Sequence, residues 1–133
     1  MYKTKYLNYG NKFYCCKWLW NSRYSYSSLD GSGVIVDLIT ASDYGTIIDT
    51  VVVKAIQSTT PGMIRFFMKS GGSYSLIREV SVPQISITNN SPSWEEVLSF
   101  NGITLESGDS LSASTQVSET FKVTVFGITI TAF

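Results

Sequence analysis

Most of this chain consists of short apolar segments that alternate with polar positions and are separated by turn residues. Ile64, Phe66 and Met68 alternate with Arg65 and Lys69, which is the two-residue period of a strand with one buried and one solvated face. We therefore expect Ile64 and Phe66 to lie in a core. The predicted strands are Val34–Ile39, Thr46–Ile56, Met63–Lys69, Tyr74–Val82, Gln84–Thr88, Trp94–Phe100, Ser110–Gln116 and Phe121–Thr131.

The spacing of these segments indicates the fold class. The β-branched run in Thr46–Ile56 fits a strand covered on both faces, and Gly71 and Gly72 can supply the positive φ of a tight hairpin. Val123 and Val125 alternate with polar residues and join the predicted core. Short, closely spaced strands without a helical period favour an all-β protein, an eight-stranded antiparallel β-sandwich, with a closed barrel as the other arrangement.

The composition changes near residue 29. Residues 1–29 hold 9 of the 18 aromatic residues and five basic residues without an acidic one. Five basic and ten acidic residues follow, which gives the rest of the chain a net charge of −5. We therefore predict an N-terminal aromatic and basic arm, residues 1–28, in front of a β-sandwich domain, residues 29–133. An arm of this composition indicates attachment to a partner.

The aromatic residues of the arm are the candidate partner-binding site. Tyrosine and tryptophan are frequent anchors of protein interfaces, whereas five charges are few for binding single-stranded nucleic acid by charge and stacking. A protein partner is therefore favoured over nucleic acid. The alternative is that Trp18 and Trp20 begin a further strand of the domain. The predicted partner-binding residues are Tyr6, Tyr9, Phe13, Trp18 and Trp20.

Residues that could support catalysis are scarce. The chain has no histidine, which removes the usual general base and most metal sites. Glu95 and Glu96 are adjacent and would point to opposite faces of a strand, so with Glu79 they are expected to be solvated strand positions. Trp94 could stack on a sugar, but a core position is favoured. We expect no enzymatic activity, no catalytic residues, no metal and no cofactor.

Length, charge and cysteine content indicate the class of protein. The 133 residues suit one domain with an extension, and the net charge of zero gives no overall attraction to nucleic acid or membrane. No segment approaches the roughly 20 apolar residues of a membrane span, and the N-terminus lacks the apolar core of a signal peptide. Cys15 and Cys16 are adjacent and form no disulfide framework, which fits synthesis in a reducing cytoplasm.

Four segments of the body carry linked motifs. They are KAIQSTTPGMIRFF at Lys54–Phe67, YSLIREV at Tyr74–Val80, SLSAST at Ser110–Thr115 and ETFKV at Glu119–Val123. Together they resemble a family of small bacteriophage virion proteins, in which a strand ending K-A-x-x-x-T-T precedes a G-M-I-R strand and a glycine hairpin. Ser112 stands where that family has a basic residue. The resemblance covers about Ser28–Ile130 and leaves the arm outside.

The resemblance implies a fold, a location and partners. It implies a non-enzymatic, jelly-roll-like sandwich that serves as an auxiliary or decoration protein on the capsid of a phage. The partners would be the major capsid protein or other virion proteins, or further copies of the chain. The location would be the virion, at the capsid surface rather than the tail, after assembly in the cytoplasm of the bacterial host. The alternative is a tail- or fibre-associated protein that binds carbohydrate as an adhesion module.

Overall fold

The computed structural model describes residues 7–19, 35–117 and 119–132, of which 7–19 and 131–132 are described as backbone. Every regular element in these residues is a β-strand. No helix among them is long and apolar enough to span a membrane. The strands are β1 (Leu7–Leu19), β2 (Val36–Thr40), β3 (Thr46–Ala55), β4 (Gly62–Ser70), β5 (Ser73–Val82), β6 (Glu95–Leu105), β7 (Ser110–Thr115) and β8 (Phe121–Ala132).

The strands form two four-stranded sheets, and neighbouring strands in each sheet are antiparallel. The first sheet has the order β1-β8-β3-β6 and the second the order β2-β7-β4-β5. The first strand therefore pairs with the last, the second with the seventh, the third with the sixth and the fourth with the fifth. The predicted all-β, antiparallel, two-sheet arrangement is confirmed.

The core lies between the inner faces of the two sheets. Ile64 and Phe66 of β4 and Val123 and Val125 of β8 are fully buried there, as their alternation predicted. The Phe66 ring meets the edge of the Phe100 ring at a centroid distance of 5.6 Å and an angle of 77°. Such edge-to-face contacts add to the stabilisation from apolar burial, so Phe66 joins β4 of the second sheet to β6 of the first.

Two strand predictions are wrong. Gln84–Thr88 is not a strand, because it contributes only an isolated bridge from Ile85 to Thr59 and one from Thr88 to Ser91. Pro83 precedes it and has no N–H for a ladder hydrogen bond. In contrast, β6 does not end at Phe100 but continues to Leu105.

The expected burial of β3 on both faces is also wrong. Along this strand, Ile48, Val51 and Val53 are buried on the inner face, whereas Val52 is half-buried and Lys54 is exposed. The outer face of β3 therefore remains accessible to solvent in part, although its sequence is nearly continuously apolar. The sequence pattern reported apolar character, but it could not report whether a second layer lies over the strand.

Only residues 7–19 of the predicted arm are described in the structure. Leu7–Leu19 forms β1, which adds a strand at the edge of the first sheet beside β8. A further strand is therefore present, but Trp18 lies near its end rather than at its beginning, and Trp20 lies outside the described residues. The predicted boundary between residues 28 and 29 lies outside the described residues, so the division into 1–28 and 29–133 stays a prediction.

A buried carboxylate connects two turns at one end of the sandwich. Glu119 is 7% exposed, and its Oε1 accepts hydrogen bonds from the backbone N–H and the hydroxyl of Thr60, each at 2.7 Å. Gly62 lies beside Val117, where a Cβ on the glycine would approach a valine methyl to 2.9 Å. Tight packing and these hydrogen bonds hold the β3–β4 turn against the β7–β8 turn.

We expect Phe66→Ala to lower the free energy of unfolding by about 3–5 kcal/mol, because it opens a cavity between the sheets. Urea denaturation followed by tryptophan fluorescence measures the change. Ile56→Ala is the control, since Ile56 is 52% exposed and its truncation should change stability by less than about 0.5 kcal/mol. Equal stability of the two variants would contradict the described register of β4.

We expect Glu119→Ala to destabilise the protein by about 1–3 kcal/mol, because the N–H and hydroxyl of Thr60 lose their acceptor. Glu119→Gln keeps an acceptor oxygen and should lose less. The same denaturation assay compares the two variants. Identical losses would show that the hydrogen bonds to Thr60 do not account for the role of Glu119.

Candidate interaction surfaces

Three of the predicted partner-binding residues, Tyr9, Phe13 and Trp18, lie in β1. Tyr6 and Trp20 lie outside the described residues. Phe13 pairs with Gly127 and Trp18 with Lys122, while Tyr9 falls in the interval between Asn8 and Asn11 where the register with β8 shifts. Gly127 is buried and Lys122 is exposed, so Phe13 and Trp18 belong to cross-strand rows of different character.

The exposed side of the first sheet carries apolar side chains in adjacent rows. We call this surface the outer face; in β3, β6 and β8 it includes Ile47, Val52, Val97, Phe126 and Ile128. Val52 pairs with Val97 across β3 and β6, and Ile47 pairs with Ile128 across β3 and β8. Val97 is 61% exposed and Phe126 is 42% exposed. Ile47, Val52 and Ile128 are half-buried, and Thr124 and Thr50 are opposite Val52 and Phe126, so the outer face is a mixed surface of apolar and hydroxyl side chains. Exposed apolar side chains on one side of a sheet make it a candidate interaction surface.

Charged residues border the outer face at one end. Lys54 is opposite Glu95 in β6 and Lys122 in β8, and the Lys54 ammonium lies 3.1 Å from a Glu95 carboxylate oxygen. Both members of this ion pair are about half exposed, so the pair contributes little to stability. Together the three residues carry one excess positive charge. Glu96, next to Glu95, is also exposed, so the outer face has a border that carries charges of both signs.

The side of the second sheet that faces away from the core has buried residues at its centre. Ser112 and Ser114 of β7 alternate with the core residues Leu111 and Ala113, yet both serines are buried, and Phe67 beside Ser112 in β4 is fully buried as well. A flat sheet face open to solvent could not bury these positions. The two sheets therefore differ, because the first exposes apolar side chains where the second does not.

Polar contacts surround this buried centre. The Ser112 hydroxyl donates to Asp37 at 2.6 Å, and the Lys69 ammonium lies 3.6 Å from the same carboxylate. Asp37, and then Tyr74, raise the pKa of Lys69 above its ordinary value. Lys69 therefore remains protonated at neutral pH. Ser112, which stands in place of a basic residue in the resemblance, makes a local hydrogen bond in this structure.

The side chains that could have supported chemistry are dispersed. Glu79 pairs with Arg65 at 3.0 Å, and Glu95 pairs with Lys54. Trp94 is a core residue, as the sequence favoured: it is 7% exposed and meets the Phe121 ring edge-to-face. Over the described ranges, no group of three or more acidic or cysteine side chains could hold a metal ion, and no pocket is found.

The outer face is the feature that sequence reasoning missed. Its signal is the near-continuous apolar run around Val52, which predicts a strand covered on both sides. For Val97 the sequence predicts a strand but does not indicate on which face of the strand the side chain lies. A run of β-branched residues has the same pattern whether its second face is covered by the protein itself or left for a partner.

Comparison with known proteins adds no assignment. No family model matches this chain, and no curated protein matches it. The motif resemblance, the fold and the outer face are therefore the basis on which function is proposed.

The pairing of β1 with β8 can be tested with a native cysteine. Cys16 is opposite Thr124 in the register, and paired residues of antiparallel strands have Cα separations that a disulfide can bridge. We expect Thr124→Cys to form a disulfide with Cys16 within one chain after mild oxidation. Non-reducing electrophoresis and peptide mass spectrometry measure it.

Ile128→Cys is the matched control, because Lys12 rather than a cysteine is opposite position 128. It should yield no such bond. If Thr124→Cys forms disulfide-linked dimers instead of monomers, β1 pairs with a neighbouring copy of the chain.

Proposed function

We propose that this chain is a non-enzymatic structural protein of a bacteriophage virion, most simply an auxiliary or decoration protein on the outside of the capsid shell. The first support is the resemblance of its linked motifs. The second is the surface described above, which offers an apolar area for a protein partner. Function depends here on contact area and repetition rather than on a catalytic group.

We also propose that the sandwich is a jelly roll. In the sheets β1-β8-β3-β6 and β2-β7-β4-β5, four of the six pairings (β1 with β8, β2 with β7, β3 with β6 and β4 with β5) join strands placed symmetrically about the β4–β5 hairpin, and β8–β3 and β7–β4 join these pairs into sheets. This is the order expected when one long hairpin folds over into two layers. Jelly rolls occur in viral capsid proteins and in lectins, so the fold supports both the capsid proposal and the carbohydrate alternative, and the surfaces must decide between them.

The observation that carries the proposal is the difference between the two outer sides of the sandwich. The second sheet buries Phe67 and Ser112 at its centre, whereas the first exposes Val97 and Phe126. A docking surface on the first sheet would place β1, with its aromatic and basic composition, at the edge of the contact.

Attachment to a lattice would add to the strength of such a contact. A single outer face of mixed apolar and polar residues is expected to bind modestly by itself. Copies fixed at repeated positions of a shell can engage neighbouring sites or one another, and the effective concentration then raises the overall affinity. The proposed partners are accordingly the shell protein and neighbouring copies of this chain.

The carbohydrate alternative has less support from the side chains. Trp94, its first candidate for stacking on a sugar, packs in the core against Phe121. Tyr74 is half-buried, lies edge-to-face against Phe67, and has the Lys69 ammonium 5.5 Å from its ring centroid. These contacts cover much of the Tyr74 ring, which would otherwise be a second aromatic surface on which a sugar could stack.

We expect Val97→Asp to weaken attachment to shells assembled without this protein by at least about tenfold, equivalent to about 1.4 kcal/mol. The substitution puts a charge among the apolar side chains of the outer face. Because Val97 is 61% exposed but pairs with Val52 across the strands, the variant should fold and lose about 1 kcal/mol of stability, which urea denaturation checks. Co-sedimentation with the shells measures binding.

Ile87→Asp is the matched control, since Ile87 is 39% exposed but lies in the β5–β6 connection and outside the outer face. It should bind shells as the unchanged chain does. Full binding by Val97→Asp would exclude the outer face as the attachment surface. Retention of the unchanged chain on a glycan array, without binding to shells, would favour the carbohydrate alternative.

A further inference from the structure

The sequence contains one Asn-Gly pair, Asn101–Gly102, and it lies inside β6. Both residues have positive φ, 52° and 72°, as at the centre of a type I′ turn. The register passes from Ser99 opposite Thr50 directly to Ile103 opposite Ile48. The pair therefore occupies a bulge at the edge of the first sheet, and neither Asn101 nor Gly102 has a register partner in β3.

We propose that Asn101–Gly102 is a site of spontaneous covalent modification, in which the asparagine amide is converted to an acid. The backbone nitrogen of Gly102 attacks Cγ of Asn101, a bond forms between them, and the amide nitrogen leaves as ammonia with the proton lost by Gly102. Water then opens the resulting succinimide at either carbonyl. The products are aspartate and isoaspartate, and water is the sole co-reactant.

The local structure favours the first step sterically. Asn101 is exposed, so water reaches the amide and ammonia can leave. Gly102 has no side chain beside the attacking nitrogen, and a Cβ built at this glycine would meet only a methyl group of Ile47, at 3.7 Å. A bulky residue after the asparagine would obstruct the approach, whereas this glycine leaves it open.

Hydrogen bonding also favours the reaction. The Ser99 hydroxyl donates to Oδ1 of Asn101 at 2.8 Å, which is the oxygen that becomes negative when Cγ is attacked. A donor already aimed at such an oxygen stabilises the transition state. The guanidinium of Arg78 donates to the backbone carbonyl of Ser99 and brings positive charge to the same stretch of β6.

The products would alter the edge of the sheet. Aspartate adds a negative charge to a strand that begins with Glu95 and Glu96. Isoaspartate moves the main chain through the side chain and inserts one methylene between Phe100, which is in the core, and Ile103, which packs against the core. We expect the isoaspartyl form to unfold at a lower temperature than the unmodified chain.

The test is to incubate the folded protein in mildly alkaline buffer containing ¹⁸O-labelled water and to follow the peptide Glu79–Lys122 by tandem mass spectrometry. We expect label and acid at position 101 before they appear at Asn89 or Asn90, which lie in the same peptide and are also exposed. Asn101→Gly removes the amide, tolerates positive φ and should abolish conversion at this position.

Ser99→Ala should slow conversion of the folded protein about fivefold, the equivalent of about 1 kcal/mol of hydrogen bonding, and should not change the rate in urea. An unchanged rate in the folded variant would refute the role of Ser99. Conversion at Asn101 in urea but not in the folded protein would overturn the proposal, because the bulge would then protect the amide.

Discussion

Burial of the two inner sheet faces against each other is the constraint on which this structure depends. Neither four-stranded sheet can hide its apolar face by itself. The contact between Phe66 and Phe100 joins the sheets near the centre of the core, and Trp94 packs on Phe121 elsewhere in it. Because a one-residue slip would turn every inner side chain outward, this burial also fixes the strand registers.

The fixed registers determine the character of the outer surfaces. Side chains that alternate with the core residues must face away from it, and on the first sheet these include Val52 and Val97. The corresponding positions on the second sheet, Ser112 and Phe67, are buried. An asymmetric sandwich of this kind has one side available for a partner, which is the physical basis for proposing a structural role.

At the ends and edges of the sandwich, the regular pattern of apolar burial and strand pairing is interrupted locally. Glu119 is buried, and its Oε1 accepts two hydrogen bonds from Thr60 in the β3–β4 turn. At the edge, β6 accommodates Asn101 and Gly102 in a bulge without losing the inward positions of Phe100 and Leu105. The edge can absorb residues with positive φ because it has a neighbour on one side alone.

The sequence by itself determined most of the strands between Val36 and Ala132 and the inward positions of several of them. Two-residue alternation placed Ile64, Phe66, Val123 and Val125 correctly, because periodicity directly reports which side of a strand avoids water. Only the tertiary structure decided which strands are neighbours and which outer face is covered. Val52 and Phe67 are both apolar residues on outward positions, but one is half-exposed and the other buried, since this difference depends on contacts between segments distant in sequence.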